Sequence, residues 1–501
     1  MGRFKPYDYS QGLLIPVSLE EQLMPGTLEF AINQLVEKHL NLSIFDGKYK
    51  NDETGRLAYD PKILLKVVLL GYSRGLTSLR KIEQACRENI VFMAISCGQS
   101  PDHSTIATFV STMKDEILPL FRNILLVCEE MDLLGGTFFA LDGCKLPSNA
   151  SKQWSGSVDD LKRKKDKLEE KVKQLLKEQE KEDRKDNDFP PSGSNKEKQI
   201  EKLEKQAKRI EEWLKEDRTR KGTSGRVIKS NVTDNESAKM LTFHGTLQGY
   251  NSQVLVDAKH QVIIHGEVFG NGQDHGHASP MIDGAKENME QIGHSEEYFK
   301  GKTFTADSNY HSNFNLKKCV DEKIDAYIPD RWFRTRDPRF TNRKKYGPQV
   351  RKSFALEDFH YDQEKNQYVC PNGKNLGLRV KRIAITGNVY RQYRGNEEDC
   401  NGCELKGRCV RNNGKGPKTL MVPIGPDGVN LSKIMVEKIE SEKGRKTYPM
   451  RIAIVEPVFA NLRTNKRLDR FTLRGKIKVN IQWLLYCMVH NIEKLANYGF
   501  A

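Results

Sequence analysis

Twice in this chain a short apolar run with the make-up of a buried strand stops on an aspartate. "TFFALDGCKLPSN" (137–149) carries Phe138 to Leu141 into Asp142, and "KTFTADSNYHS" carries Phe304 and Ala306 into Asp307. A carboxylate there is costly to bury unless something pairs with it, so each aspartate either caps a turn or binds a cation. The residues after Asp142, namely Gly143, Lys145, Pro147 and Asn149, are expected to end the first strand at that point.

The elements around the two aspartates restrict the fold further. "TLQGYNSQVLVDAKHQVIIHGEVFGNGQD" alternates Val254 and Val256, then Val262, Ile264 and Val268, about a turn at Ala258–His260, which predicts a hairpin. A helix over "ASPMIDGAKENMEQIG" precedes the Asp307 strand, and a helix containing Phe314 to Val320 separates that strand from a third, "DAYIPD". The order strand, hairpin, helix, strand, helix, strand is that of an RNase H-like α/β core, a mixed sheet with flanking helices. Neighbouring parallel strands in such a sheet end at one edge, where ligands of open α/β sheets bind. Two aspartates there repel each other unless a cation sits between them, and Mg2+ or Mn2+ prefers oxygen ligands. Asp257 and Asp274 are the rival carboxylates; Asp257 reads as a turn residue and Asp274 as a helix-start or supporting group.

Flanking this core, residues 1–135 have the pattern of an all-α N-terminal domain. Pro61 opens a helix with Ile63, Leu64, Val67, Val68 and Leu70 on its apolar side, and Thr77 or Ser78 and Asp102 or Ser104 suit later N-caps. Short helices joined through Gly75, Gly98 and Pro101 fit either a helix-turn-helix arrangement or a plain bundle. In the first case Arg74, Arg80, Lys81 and Arg87 would face phosphates. Residues 136–335 are expected to form the first part of that core. Within it, 157–221 carries two near-heptad runs, from Leu161 to Leu176 and from Ile200 to Leu214, broken at "DRKDNDFPPSGSN". They predict an antiparallel coiled-coil insertion. Its charge is nearly balanced, which favours a solvated arm over a DNA grip.

Residues 336–445 form a basic, cysteine-containing insertion, and 446–501 the C-terminal part of the core. Of ten cysteines, Cys370, Cys400, Cys403 and Cys409 stand apart, in "YVCPNGKNL" and "EDCNGCELKGRC". Their spacing suits one tetrahedral Zn2+ or four free thiols. The stretch 331–352 interleaves Arg334, Arg336, Arg343 and Lys344 with Trp332, Phe333 and Phe340, as either a DNA-backbone track or a solvated loop. Lys and Arg number 82 against 67 Asp and Glu, a net +15, which favours a polyanionic partner. No apolar run reaches the roughly 18 residues of a membrane span, and the expectation is a soluble, intracellular protein with no membrane partner.

The C-terminal stretch "YPMRIAIVEPVFANLRTNKRLDRFTLRGKIKV" resembles insertion-sequence transposases of the DDE class, in particular the group with the signature Y-x2-R-x3-E-x6-K. Tyr448, Arg451, Glu456 and Arg463 correspond to it, with one extra residue between Arg and Glu and arginine for the final lysine. "YDPKILLKVVLLGYSRGLTSLRKIEQACREN" and "PDHSTIATF" resemble the group's helical N-terminal domain, and "GYNSQVLVD" and "TADSNY" its central strands. The resemblance implies a catalytic triad of Asp142, Asp307 and Glu456 holding Mg2+ or Mn2+. It also implies phosphate contacts from Tyr448, Arg451 and Arg463, the last on the same helical face as Glu456. The implied partners are the element's terminal inverted repeats and target DNA, bound by a homodimer in the cytoplasm at a prokaryotic nucleoid. A metal-dependent nuclease without strand transfer, a non-catalytic transposase-derived DNA-binding protein and a coiled-coil scaffold are the competing readings.

Overall fold

A computed structural model of the protein describes residues 18–49, 57–183, 194–216, 218–222, 225, 227–242, 245–340, 342–343, 353–385, 388–410, 416–424 and 430–499. The chain forms two compact units. One comprises the residues up to Leu133 with Asn461–Leu468 and Leu484 onward; the other comprises Leu134–Ala460 and Asp469–Trp483.

The first unit is helical, as the apolar periodicity predicts. It contains α1 (Leu28–Gln34), α2 (Pro61–Ser73), α3 (Leu79–Glu88), α4 (Ile90–Ile95), α5 (His103–Thr112) and α6 (Ile117–Glu130). Pro61 opens α2 behind Asp60, whose side chain accepts from Lys62 N. Every residue of α2 from Ile63 to Tyr72 is buried, which makes it the centre of the bundle rather than a helix with one apolar stripe. Even Lys66 is buried there, its ammonium donating to Asn33 and Glu37 at 3.0 and 2.9 Å. Asp102 caps α5 through the amides of Ser104 and Thr105, whereas Ser78 stands at the α3 N-cap without a side-chain bond. Of the four candidate phosphate contacts, Arg74 pairs with Glu29 and Arg87 with Glu83, while Arg80 and Lys81 are exposed.

The second unit is built on a six-stranded mixed sheet. Its strands are β1 (Phe138–Pro147), β2 (Ala238–Thr242), β3 (Gly245–Asp257), β4 (Ile263–Phe269), β5 (Thr303–Ala306) and β6 (Asp325–Tyr327). Their order is β6-β5-β1-β3-β2, with β4 also on β3. β5 and β6 run parallel to β1, and β3 runs antiparallel to it. The β3–β4 hairpin lies where the alternation places it; β2 is an additional strand. Helices α9 (Ala278–Gln291) and α10 (Asn313–Asp321) make the connections before β5 and β6.

β1 does not end at Asp142. It continues to Pro147 because β3 stays hydrogen-bonded to it in register from Phe139↔Asp257 to Pro147↔Gly249, while the parallel register with β5 stops at Leu141↔Ala306. Gly143, expected to break the strand, permits a close approach instead: a Cβ there would collide with the side-chain amide of its cross-strand neighbour Gln253.

Between β1 and β2 the chain runs out into α7 (Val158–Asp183) and α8 (Ser194–Lys215), two long helices packed on each other. Leu161, Ile210, Trp213 and Val232 form the buried cluster at their base, supported by Leu168 and Leu214. Most of the breaker between them falls outside the described residues.

The cysteine-containing segment has an order of its own. Five antiparallel strands, β7 (His360–Asp362), β8 (Gln367–Val369), β9 (Asn375–Ile385), β10 (Asn388–Gly395) and β11 (Thr419–Ile424), pair in sequence order. Phe359, Leu376, Tyr393 and Leu420 form its core. Four more helices close the chain: α11 (Leu431–Glu440), α12 (Glu442–Thr447), α13 (Met450–Ala460) and α14 (Lys476–Tyr498), the last shared between the units. No helix among the described residues is long and apolar enough to cross a membrane.

Candidate active site

Asp142 lies on β1 at the first position beyond the parallel pairing with β5, and Asp307 directly follows the last residue of β5. Loss of a parallel neighbour at that level opens the sheet edge between them. The Asp142 carboxylate accepts the Gly143 amide at 2.8 Å and is paired with Arg451 of α13, Nη1 to Oδ2 2.5 Å, with both side chains largely buried. Asp307 turns the chain away from β5 by accepting Asn309 N at 2.8 Å. α13 packs against β1, and its exposed Glu456 is close enough for its charge to act on Asp142.

The electrostatics are those of crowded carboxylates. Burial raises the Asp142 carboxyl above its ordinary value, the neighbouring Arg451 pulls it back, and Glu456 adds to the rise. Burial, followed by the charge of Asp142, pushes Asp307 up to about 6. Burial works against the charge on Arg451, yet Asp142 beside it holds that guanidinium above its usual value. Tyr448, raised by its own burial, lies close enough to Arg451 for the guanidinium's charge to act on it and packs edge-on against Phe333 at 5.3 Å. Tyr448, Arg451 and Asp142 thus form a chain leading into the site. Arg451 Nε is buried and has no partner among the described residues.

Beside the aspartates lies a polar network of which the sequence had singled out Asp274 alone. The Asp274 carboxylate accepts from Asn251 at 2.6 Å and Gln253 at 3.0 Å, and Tyr310 donates to Gln253 Oε1. Trp483 Nε1 holds the Gln253 backbone oxygen at 3.0 Å. Asp274 therefore supports the sheet edge, in the way its position ahead of α9 suggested. The signal for Asn251 and Gln253 was present, since polar residues interrupt an otherwise apolar strand in "GYNSQVLVD"; Tyr310 lies beyond β5, in the turn after Asp307. Asp257, the other rival, is a turn residue: its carboxylate accepts the amides of Gly135, Gly136 and Lys259 at 2.8–2.9 Å.

The basic candidates are arranged less uniformly. Arg463 does not share a helical face with Glu456, because α13 ends at Ala460 and Arg463 lies exposed in a π-helical turn, Asn461–Asn465, in the other compact unit. Arg336 is occupied by Asp330 and Glu440. Arg334 and Arg343 stand over the Phe340 ring at 5.7 and 5.5 Å. Lys344 lies outside the described residues.

Cys370, Cys400, Cys403 and Cys409 line one cavity of about 30 Å³ beside β9 and β10. Cys370 Sγ accepts Lys374 N at 3.3 Å and Cys403 Sγ lies 3.5 Å from Asn372 Nδ2. Burial raises the Cys409 thiol, and the other three cysteines add to that. Among the described residues no three His, Cys, Asp or Glu side chains, here or at the aspartates, are drawn together tightly enough to hold a metal ion as they stand.

Two regions of the chain match known families. Residues 17–112 match a family described as a transposase domain (DUF772), and residues 369–496 match one described as a transposase DDE domain. The second match includes the four cysteines, Tyr448, Arg451, Glu456 and Arg463; Asp142 and Asp307 lie outside both. No match was found among curated proteins or among solved structures. A helical N-terminal region and a mixed helix and sheet body, with a transposase domain matched in each, fit a transposase. The two matches together support an insertion-sequence transposase of the DDE class.

Proposed function

We propose that the six-stranded sheet is an RNase H-like catalytic core in which Asp142, Asp307 and Glu456 bind Mg2+ or Mn2+ and cleave and rejoin double-stranded DNA. The carrying observation is the meeting of Asp142 and Asp307 at one sheet edge, with Glu456 acting on Asp142 and one buried cation, Arg451, among them. The donor set fits a hard divalent ion: all three groups are carboxylates, and Asp307 gains from any added positive charge. When bound, such ions activate an attacking water or 3′-hydroxyl and stabilise the leaving oxygen. In each displacement an oxygen–phosphorus bond forms as the bond to the leaving 3′-oxygen breaks, and the protein makes no covalent bond.

The chain's own residues position the DNA. Arg451 keeps Asp142 oriented and favours its charged form, and the neighbouring Tyr448 acts on that guanidinium. Arg334, Arg343 and Arg463 contact backbone elsewhere. We assign the helical arm as a coiled coil and the active assembly as a homodimer holding two element ends, at work on cytoplasmic DNA. We also assign a structural Zn2+ to the four cysteines, because four cysteine sulfurs lining one small cavity suit that ion.

The test is incubation of purified protein with Mg2+, a labelled element end and a target plasmid. Strand-transfer product supports the proposal. Nicks alone indicate a nuclease, and a mobility shift without cleavage indicates a DNA-binding protein.

A further inference from the structure

The charges of the helical arm balance in sum but are segregated in space. On α8, Lys198, Lys202, Lys205 and Arg209 recur at intervals of four, three and four residues, the spacing of one helical face. The stripe is about 17 Å long at 1.5 Å per residue. With Trp154 and Gln206 these residues line an open cavity of about 490 Å³, in which Glu201, paired with Lys205 at 2.5 Å, is the one carboxylate.

At the foot of the arm a second cavity, of about 580 Å³, shares Trp154 and Arg209 and adds Lys152, Arg470 and Arg474. Among the described residues no acidic one lines it, and its remaining polar groups are hydroxyls and amides. Arg474 is fixed by donating to Asn149 O at 2.6 Å. Lys152, Lys202, Arg209 and Arg470 are exposed and form no ion pair among the described residues. A cationic surface whose lining carboxylate, Glu201, is taken up by Lys205 matches a regular polyanion, as does the net +15 of the chain.

This surface also has a defined place relative to the chemistry. Pro147, the last residue of β1, lines the lower cavity, five residues from Asp142 on the same strand. At about 3.3 Å per residue that is about 17 Å, or about five base pairs of duplex at 3.4 Å each.

We propose that the basic face of α8 and the cleft at its foot form a track for the sugar–phosphate backbone of double-stranded DNA, engaged about five base pairs from the bond that reacts. The proposal rests on the transposase reading for the identity of the polyanion. Its test is the full chain carrying Lys152→Gln, Lys202→Gln, Arg209→Gln and Arg470→Gln, measured by anisotropy on a duplex of arbitrary sequence between 50 and 200 mM NaCl. Each lost phosphate contact lowers the salt slope by about 0.9, so four lower it by about 3.6, and the wild type's affinity advantage shrinks about 150-fold across that range. A matched variant, with Lys171, Lys173, Lys177 and Lys181 of α7 changed to Gln, is expected to keep the parental slope. Equal loss in both variants overturns the assignment in favour of net charge alone. An unchanged slope in the first variant, in a wild type that still cuts and joins DNA, overturns this surface and leaves the transposase reading standing. A wild type that binds no duplex overturns both.

Discussion

Replacing Arg451 with Met takes away the one cation that pairs with Asp142 and leaves a buried carboxylate beside Glu456 and Asp307. Breaking such a pair from one side typically costs about 3–5 kcal/mol, because the remaining charge is neither solvated nor paired. The cost depends on pH, and its sign follows from the direction of the shift. Burial already raises Asp142, and Arg451 opposes that rise. Without the guanidinium the folded-state pKa rises further, so the folded variant takes up a proton that the unfolded chain has lost at the same pH. Stability relative to wild type therefore recovers as pH falls, by up to about 1.4 kcal/mol per pH unit. Between pH 7.5 and 5 the deficit is expected to narrow. All four tryptophans, Trp154, Trp213, Trp332 and Trp483, belong to the sheet-containing unit, so urea unfolding followed by tryptophan fluorescence in EDTA reads that unit alone. Adding Asp142→Asn to Arg451→Met is expected to restore most of the loss. A deficit below about 1 kcal/mol that is the same at both pH values would refute the reasoning, since a solvated pair behaves in that way.

Three further outcomes are expected. Asp307, at about 6, must lose its proton to bind a cation, so Mn2+ affinity measured by electron paramagnetic resonance should fall as pH drops from 7 to 5; Asp307→Asn should flatten that profile. Cys403→Ser should release one zinc per chain on metal analysis and expose residues 370–410 to protease without lowering the melting of the main sheet; native protein free of zinc would dispose of the assignment. Arg463→Ala should reduce the salt slope for cognate and unrelated ends alike by about one unit, and Arg463→Lys should preserve it.

The parts of the site that could be read from the sequence are those whose cost is local. A carboxylate closing an apolar run is expensive wherever it occurs, so Asp142 and Asp307 stood out without knowledge of their partners, and the β3–β4 hairpin followed from its alternation. Glu456 has no such mark, since an exposed glutamate on a helix costs nothing, and only the resemblance pointed to it. Features set by neighbours were misread. Gly143 resembles a strand breaker until Gln253 is seen to need its space, and the even spacing to Arg463 hides a π turn that changes the helical winding. The five-stranded sheet was overlooked although Leu376, Leu378 and Val380 alternate in "NLGLRVKRIAI", because Arg379, Lys381 and Arg382 made the stretch look merely basic. The cationic stripe of α8 was likewise present in the sequence, and averaging charge over the whole arm removed it.

The most direct test of the triad is single-turnover cleavage of a labelled element end by Asp142→Ala, Asp307→Ala and Glu456→Ala in Mg2+, with binding of the same end measured in parallel. Each substitution removes a carboxylate and little phosphate-contact surface, so cleavage should vanish while binding stays within a few-fold of wild type. Normal cleavage by Glu456→Ala would contradict the assignment and place the third carboxylate elsewhere, with Asp274, held by Asn251 and Gln253 at the same sheet edge, the next to replace.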